Sequence, residues 1–125
     1  MTDDQIENEI QAKGLTAPRV TPSDIEANIA SEHYFTAWDA TRTFNSKDTV
    51  TIGSDLYNDE HPSVLKTLTF CILVLRNGFT VTGKSACASP ENFDAELGRK
   101  IARQDAVNQM WALMGYELKQ RLYKG

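Results

Sequence analysis

The run Phe70–Leu75, closed by Asn77-Gly78, constrains this chain more than any other feature. It is an apolar stretch of strand length. It ends on the dipeptide that accepts positive φ at both central positions of a type I′ turn. A second β-prone run from Phe79 towards Cys87 completes a β-hairpin. Pairing Arg76 with Phe79 sets the register. Phe70, Ile72, Val74 and Arg76 then share one face with Phe79, Val81 and Gly83. Cys71, Leu73 and Leu75 share the other with Thr80, Thr82 and Lys84. The first strand is apolar on both faces, so both need cover, from helices, from the rest of the chain or from another subunit. In this register Cys87 falls opposite Leu68, on the face away from Cys71, which argues against a disulfide between the two cysteines.

After the hairpin, Ser89-Pro90 reads as the cap and first residue of a long helix. Phe93, Leu97, Ile101, Val107, Trp111, Met114, Leu118 and Leu122 recur at three, four or six residues, a helical stripe of about eight turns that reads as core. Gly98 and Gly115 interrupt it, each at a cost of ~1 kcal/mol relative to Ala. They mark either a close approach to the sheet or a kink. A helix this long in so small a chain can also reach into a partner subunit.

The first half is helical in outline. Ile6 and Ile10 lie four apart within 3–13, with Gly14 as a stop. Thr21-Pro22-Ser23-Asp24 supplies a cap, a first-turn proline and a first-turn carboxylate. The helix it starts carries Ile25 and Ile29 and is expected to fade near Glu32–Tyr34. The stretch 35–65 reads as a variable insert packed by Phe35, Trp38 and Phe44, with a short edge strand over Thr49–Ile52 and a loop over Tyr57–Pro62. The fold class is therefore α+β: short N-terminal helices (1–34), this insert, then a β-hairpin or small antiparallel sheet and a long amphipathic C-terminal helix (66–125). At 125 residues the chain is one domain with one modest core.

Charge adds direction. The net charge of −4 divides into −8 over residues 1–62 and +4 over residues 63–125. The basic excess sits on the hairpin and last helix, either as a solvated face complementary to the acidic half or as an anion-binding surface. A pI near 5.1 and the acidic first half argue against general nucleic-acid binding. No apolar run approaches the ~20 residues of a membrane-spanning helix. The acidic start is unlike a signal peptide, so the expected compartment is the cytoplasm. There the two cysteines are expected as thiols. His33 and His61 are not at ligand spacing with either, which argues against zinc.

The candidate chemistry is binding. Arg99 and Arg103, four apart, can clamp a phosphate or diphosphate, or serve in surface ion pairs with neighbours such as Glu96. Asn92 and Phe93, at the expected helix start, can read and stack on a base, or act as a polar first-turn residue and a core anchor. Phe79, sharing a face with Arg76, is a second stacking platform or a packing residue. Ser85 and Ser89 have no evident base, and Glu91, Asp94 and Glu96 suit a helix N-terminus. No catalytic set emerges, and neither a cofactor nor a metal is expected.

Three segments, Gly14–Ile25, Leu68–Gly83 and Ser89–Ala102, together resemble a family of small tailed-phage proteins typified by gene product 49 of phage N-four and gene product 66 of phage Sf-six. The resemblance spans nearly the whole chain apart from about residues 36–63. The hairpin-then-helix plan also resembles the first type of phage anti-Thoeris sponge. That second resemblance implies a homo-oligomeric counter-defence protein of the host cytoplasm, not an enzyme. It would sequester a cyclic ADP-ribose-type signal or a cyclic oligonucleotide without cleaving it. It implies a ligand site of Arg76, Phe79, Asn92, Phe93, Arg99 and Arg103, with an aromatic on adenine and the arginines on the diphosphate. The alternative is a small phage accessory protein that binds a host or phage protein.

Overall fold

The computed structural model describes residues 1–42, 52–53 and 63–123. Helix α1 (Asp3–Ala12) and helix α2 (Pro22–Ala27) begin where the sequence predicts, each behind a reciprocal cap. Thr21 Oγ1 accepts the Asp24 N–H at 3.1 Å, while Asp24 Oδ2 accepts the Thr21 N–H at 2.9 Å. The chain leaves α1 through Gly14 at φ 65°. Strand β1 (Ile29–Thr36) follows directly, then helix α3 (Ala37–Thr41), a 3₁₀ turn (Val64–Thr67), strand β2 (Leu68–Leu75) and strand β3 (Thr80–Ala86). A second 3₁₀ turn (Pro90–Asn92) leads into helix α4 (Ala95–Leu122). The fold is α+β: a three-stranded antiparallel sheet in the order β1-β2-β3, with α4 laid across one face.

The structure corrects four expectations. First, the helix starting at Thr21 ends at Ala27 with Asn28 as its cap, and residues 29–36 form an edge strand. The segments read as N-terminal helices (1–34) and insert (35–65) thus share a strand. The strand is hidden in the sequence because the side of β1 facing α4 carries Glu32 and Tyr34 in place of apolar residues, so the alternation that signals a half-buried strand is lost. Thr49–Thr51, Phe44 and Tyr57–Pro62 lie outside the described residues. Phe35 stacks on Phe70 with centroids 5.5 Å apart. Arg42 and Lys66 each stand over the Trp38 ring, their charges 4.4 and 4.5 Å from its centre.

Second, the hairpin forms one residue out of the expected register. Leu75 pairs with Phe79: its N–H donates to the Phe79 carbonyl at 2.8 Å, and the Gly78 N–H donates to the Leu75 carbonyl at 2.9 Å. Gly78 has φ 87°, whereas no non-glycine residue has positive φ among the described residues. The connection is a type I turn with a glycine bulge, not a type I′ turn. A shift of one residue exchanges faces. Val81 and Gly83 therefore oppose Leu73 and Cys71 on the helix side. Thr80, Thr82 and Lys84 join Val74, Ile72 and Phe70 on the other. That other side of β2 is half-buried, and the α4 side is fully buried. The cysteines are free thiols, and the shifted register places them differently from the expectation. Cys87 continues the ladder opposite Thr67, on Cys71's own face, and is too far along it to bridge.

Third, α4 begins after Asp94, whose carboxylate accepts the Leu97 N–H at 2.9 Å. Ser89 makes no side-chain cap bond to the preceding 3₁₀ turn. Asn92 and Phe93 thus stand ahead of the helix, not in its first turn. Fourth, the helix meets the sheet through small residues. Ala102 and Ala106 are fully buried, whereas Leu97 and Ile101 are 54% and 49% exposed. A Cβ on Gly83 would intrude on the Ala102 carbonyl and the Ala106 backbone, so helix and strand touch main chain to main chain. Gly98 is a second close approach, against Thr69. Gly115 has open space around it, and α4 runs through it unbroken. The core is this seam with Ile25, Leu73, Val107 and Met110.

Candidate ligand cleft at the start of the long helix

The antiparallel sheet brings the end of β1, the start of β2 and the start of α4 to one edge of the molecule. Thr36 pairs with Thr69, and Thr69 with Ser85. Between these ends and α4 lies a cleft of about 130 Å³, lined by Tyr34, Phe35, Thr36, Asp39, Thr69, Phe93, Ala95 and Arg99. Phe93 is half-buried and supplies an aromatic wall. Arg99 is exposed on the first turns of α4, with no hydrogen bond or ion pair among the described residues. Its neighbour Lys100 is paired with Glu96 at 3.3 Å. Asp39 is committed to its cap, accepting the Thr36 N–H at 3.0 Å.

Arg103 shares a helix face with Arg99 but is spoken for. Its Nη1 and Nη2 donate to Glu26 at 3.0 and 2.7 Å, and its Nε donates to Glu32. These pairings, Glu26 first, hold the guanidinium above its usual pKa. In return Arg103 holds the Glu32 carboxyl below the usual carboxylate range. Glu32 also accepts the Tyr34 hydroxyl at 3.0 Å. Burial, then this bond, pushes the Tyr34 phenol above its ordinary value. Arg103 ties α4 to α2 and β1, and to serve as an anion ligand it would have to give up both carboxylates.

Arg76 and Phe79 lie at the opposite edge, about 20 Å away along β2. Arg76 Nε donates to the Ala27 carbonyl at 3.1 Å. Both residues line a wider groove of about 500 Å³ with Asn28, Leu113, Met114 and Glu117. The six residues expected as one site are therefore distributed: Phe93 and Arg99 in the cleft, Asn92 exposed beside it, Arg103 in the ion-pair cluster, and Arg76 and Phe79 at the hairpin. Tyr34, Phe35 and Thr69 were missed as cleft residues. Spacing could not have found them, because they enter through strand pairing across more than thirty residues.

Among the described residues no helix is long and apolar enough to cross a membrane. Comparison with curated proteins and with solved structures finds no match. Residues 20–122 match the family described as phage protein (N4 Gp49/phage Sf6 gene 66), covering β1, the hairpin, the cleft and all of α4. This chain belongs to that phage protein family.

Proposed function

We propose that this phage protein binds and withholds a small anionic nucleotide-type signal, of the cyclic ADP-ribose or cyclic oligonucleotide class, and acts in the host cytoplasm by lowering its free concentration. The observation that carries the reading is the juxtaposition of Phe93 with the unpartnered guanidinium of Arg99. An aromatic face attracts a base or sugar ring, and a cation beside it attracts the phosphate. Affinity suffices for such a role, so no turnover is invoked. The cleft holds about one ring system. The remainder of a larger ligand would lie on the surface or against a second copy, which accords with the self-association that this reading includes.

Calorimetry against cyclic ADP-ribose and a set of cyclic dinucleotides and trinucleotides tests it. Saturable binding is expected, with the ligand recovered intact by chromatography and affinity lowered at least about tenfold in Arg99→Ala. Absence of heat and of any thermal shift across the set would overturn it. A second reading, docking of a host or phage protein, is favoured by the exposed Phe79, Tyr116 and Tyr123 around the hairpin and the end of α4. It predicts a stoichiometric partner on pull-down that is lost in Tyr116→Asp.

A further inference from the structure

The floor of the cleft carries a polar group that the fold does not use. Thr69 is only 3% exposed, and its Oγ1 is buried without a hydrogen-bond partner among the described residues. Hydroxyls on either side of it are engaged. Thr36 Oγ1 accepts the Asp39 N–H at 3.1 Å, and Thr67 Oγ1 donates to the Val64 carbonyl at 3.1 Å. A buried unpaired hydroxyl costs stability that valine, of nearly the same shape, would not. Such a group in a native fold calls for a specific cause. Thr69 Oγ1 lies 3.0 Å, and the Phe93 ring edge 3.5 Å, from the point a Gly98 side chain would occupy. The hydroxyl and the ring edge thus share a notch that exists because residue 98 is glycine. Phe93 has extended backbone between the 3₁₀ turn and the cap Asp94 and belongs to neither helix.

We infer that Thr69 is the specificity-determining contact of the cleft. A ligand that moves the Phe93 ring edge aside places a neutral polar group of its own, an exocyclic amine, ring nitrogen or sugar hydroxyl, on the Thr69 hydroxyl. A phosphate does not go there, because one neutral hydroxyl cannot offset the desolvation of a buried anion. The exposed Arg99 at the rim takes it. The ligand therefore enters ring or sugar first, with its anionic group outward. This inference rests on the binding reading above.

The test compares Thr69→Val and Thr69→Ser with the unaltered protein, by thermal unfolding without ligand and by calorimetry with cyclic ADP-ribose and the cyclic oligonucleotides. Expected are a Tm for Thr69→Val equal to or above that of the unaltered protein and affinity for the best ligand weakened about tenfold. Thr69→Ser is expected to stay within about threefold, since it keeps the hydroxyl. A lowered Tm in Thr69→Val would mean the hydroxyl is already paired in the free protein, and would overturn the inference. Unchanged affinity in Thr69→Val would overturn it while leaving the binding reading intact. An unaltered protein that binds none of the ligands would overturn both.

Discussion

Helix α4 meets the sheet in two chemically different ways. Along β3 the contact is backbone on backbone, with Gly83 under Ala102 and Ala106. Along β1 and α2 it is charge on charge, with Arg103 between Glu26 and Glu32. The first seam has no slack, because neither main chain can rotate away from an added atom. The second is made of long side chains that remain partly in water; Arg103 is 28% exposed and Glu26 58%. One seam sets how close helix and sheet come. The other sets which part of the helix faces β1, and so where Arg99 stands relative to the cleft.

The sharpest way to break the comparison is Gly83→Ala. A single methyl enters the space of the Ala102 carbonyl, and overpacking against fixed backbone is expected to destabilise by roughly 3 kcal/mol. Chemical denaturation would read this directly. A loss under about 0.5 kcal/mol, the range of an ordinary surface change, would show that the close approach does not exist.

On the charged side, Arg103→Met keeps the aliphatic stem and removes the cation. The expected loss is about 1–2 kcal/mol, discounted for exposure. Glu32→Gln in that background is expected to recover part of it in a double-mutant cycle. The pH dependence has a definite sign. Arg103 holds the folded Glu32 carboxyl below its unfolded value. Its contribution is therefore complete above the unfolded glutamate pKa and is lost as pH falls through the folded one. Arg103→Met should flatten that part of the stability–pH curve, and an unchanged curve would count against the pairing.

The two seams also explain what could be read from the sequence. Asn77-Gly78 located the hairpin but not its register, because Gly78 alone takes positive φ and the shift of one residue follows from that. The period of α4 was legible, but weighting large apolar side chains placed Leu97 and Ile101 in the core, where the close approach admits only Ala102, Ala106 and Gly98. Strand β1 was illegible because its core-side positions hold Glu32 and Tyr34, residues that make sense only once Arg103 is beside them. In the same way Phe93 and Arg99 could be nominated from local spacing. Tyr34 and Thr69 could not, since their place in the cleft is a product of sheet pairing.

Arg99 separates positioning from binding. It contacts neither seam, so Arg99→Ala is expected to change stability by no more than about 0.5 kcal/mol. The same variant is expected to weaken ligand binding at least about tenfold. A variant that loses stability comparable to Arg103→Met would place Arg99 in the charged seam, not at the rim of the cleft.

The smallest expected effect concerns a third charged contact, which holds α1 to the body. Arg19 Nη2 donates to Glu7 Oε2 at 2.7 Å, and a second guanidinium nitrogen donates to Oε1. Both residues precede the stretch matched by the family, and α1 itself buries no residue. The Arg19 bonds, with help from Gln11, bring the Glu7 carboxyl from its ordinary 4.5 down to about 2. This attachment is therefore complete above about pH 4.5 and weakens as pH falls towards 2. Trp111 Nε1 donates to Asp3 Oδ2 at 3.2 Å, so indole emission reports whether α1 is docked. In Arg19→Met, Glu7 followed by carboxyl NMR is expected to titrate well above 2, towards but below 4.5 because Gln11 still donates to it, and Trp111 emission to change at neutral pH with little change in global unfolding. Had α1 been joined to the body by a seam like that at Gly83, releasing it would cost the whole fold. A charge clasp on a helix with no buried face lets it detach alone, and a Glu7 that still titrated near 2 without Arg19 would show that something other than this clasp holds it.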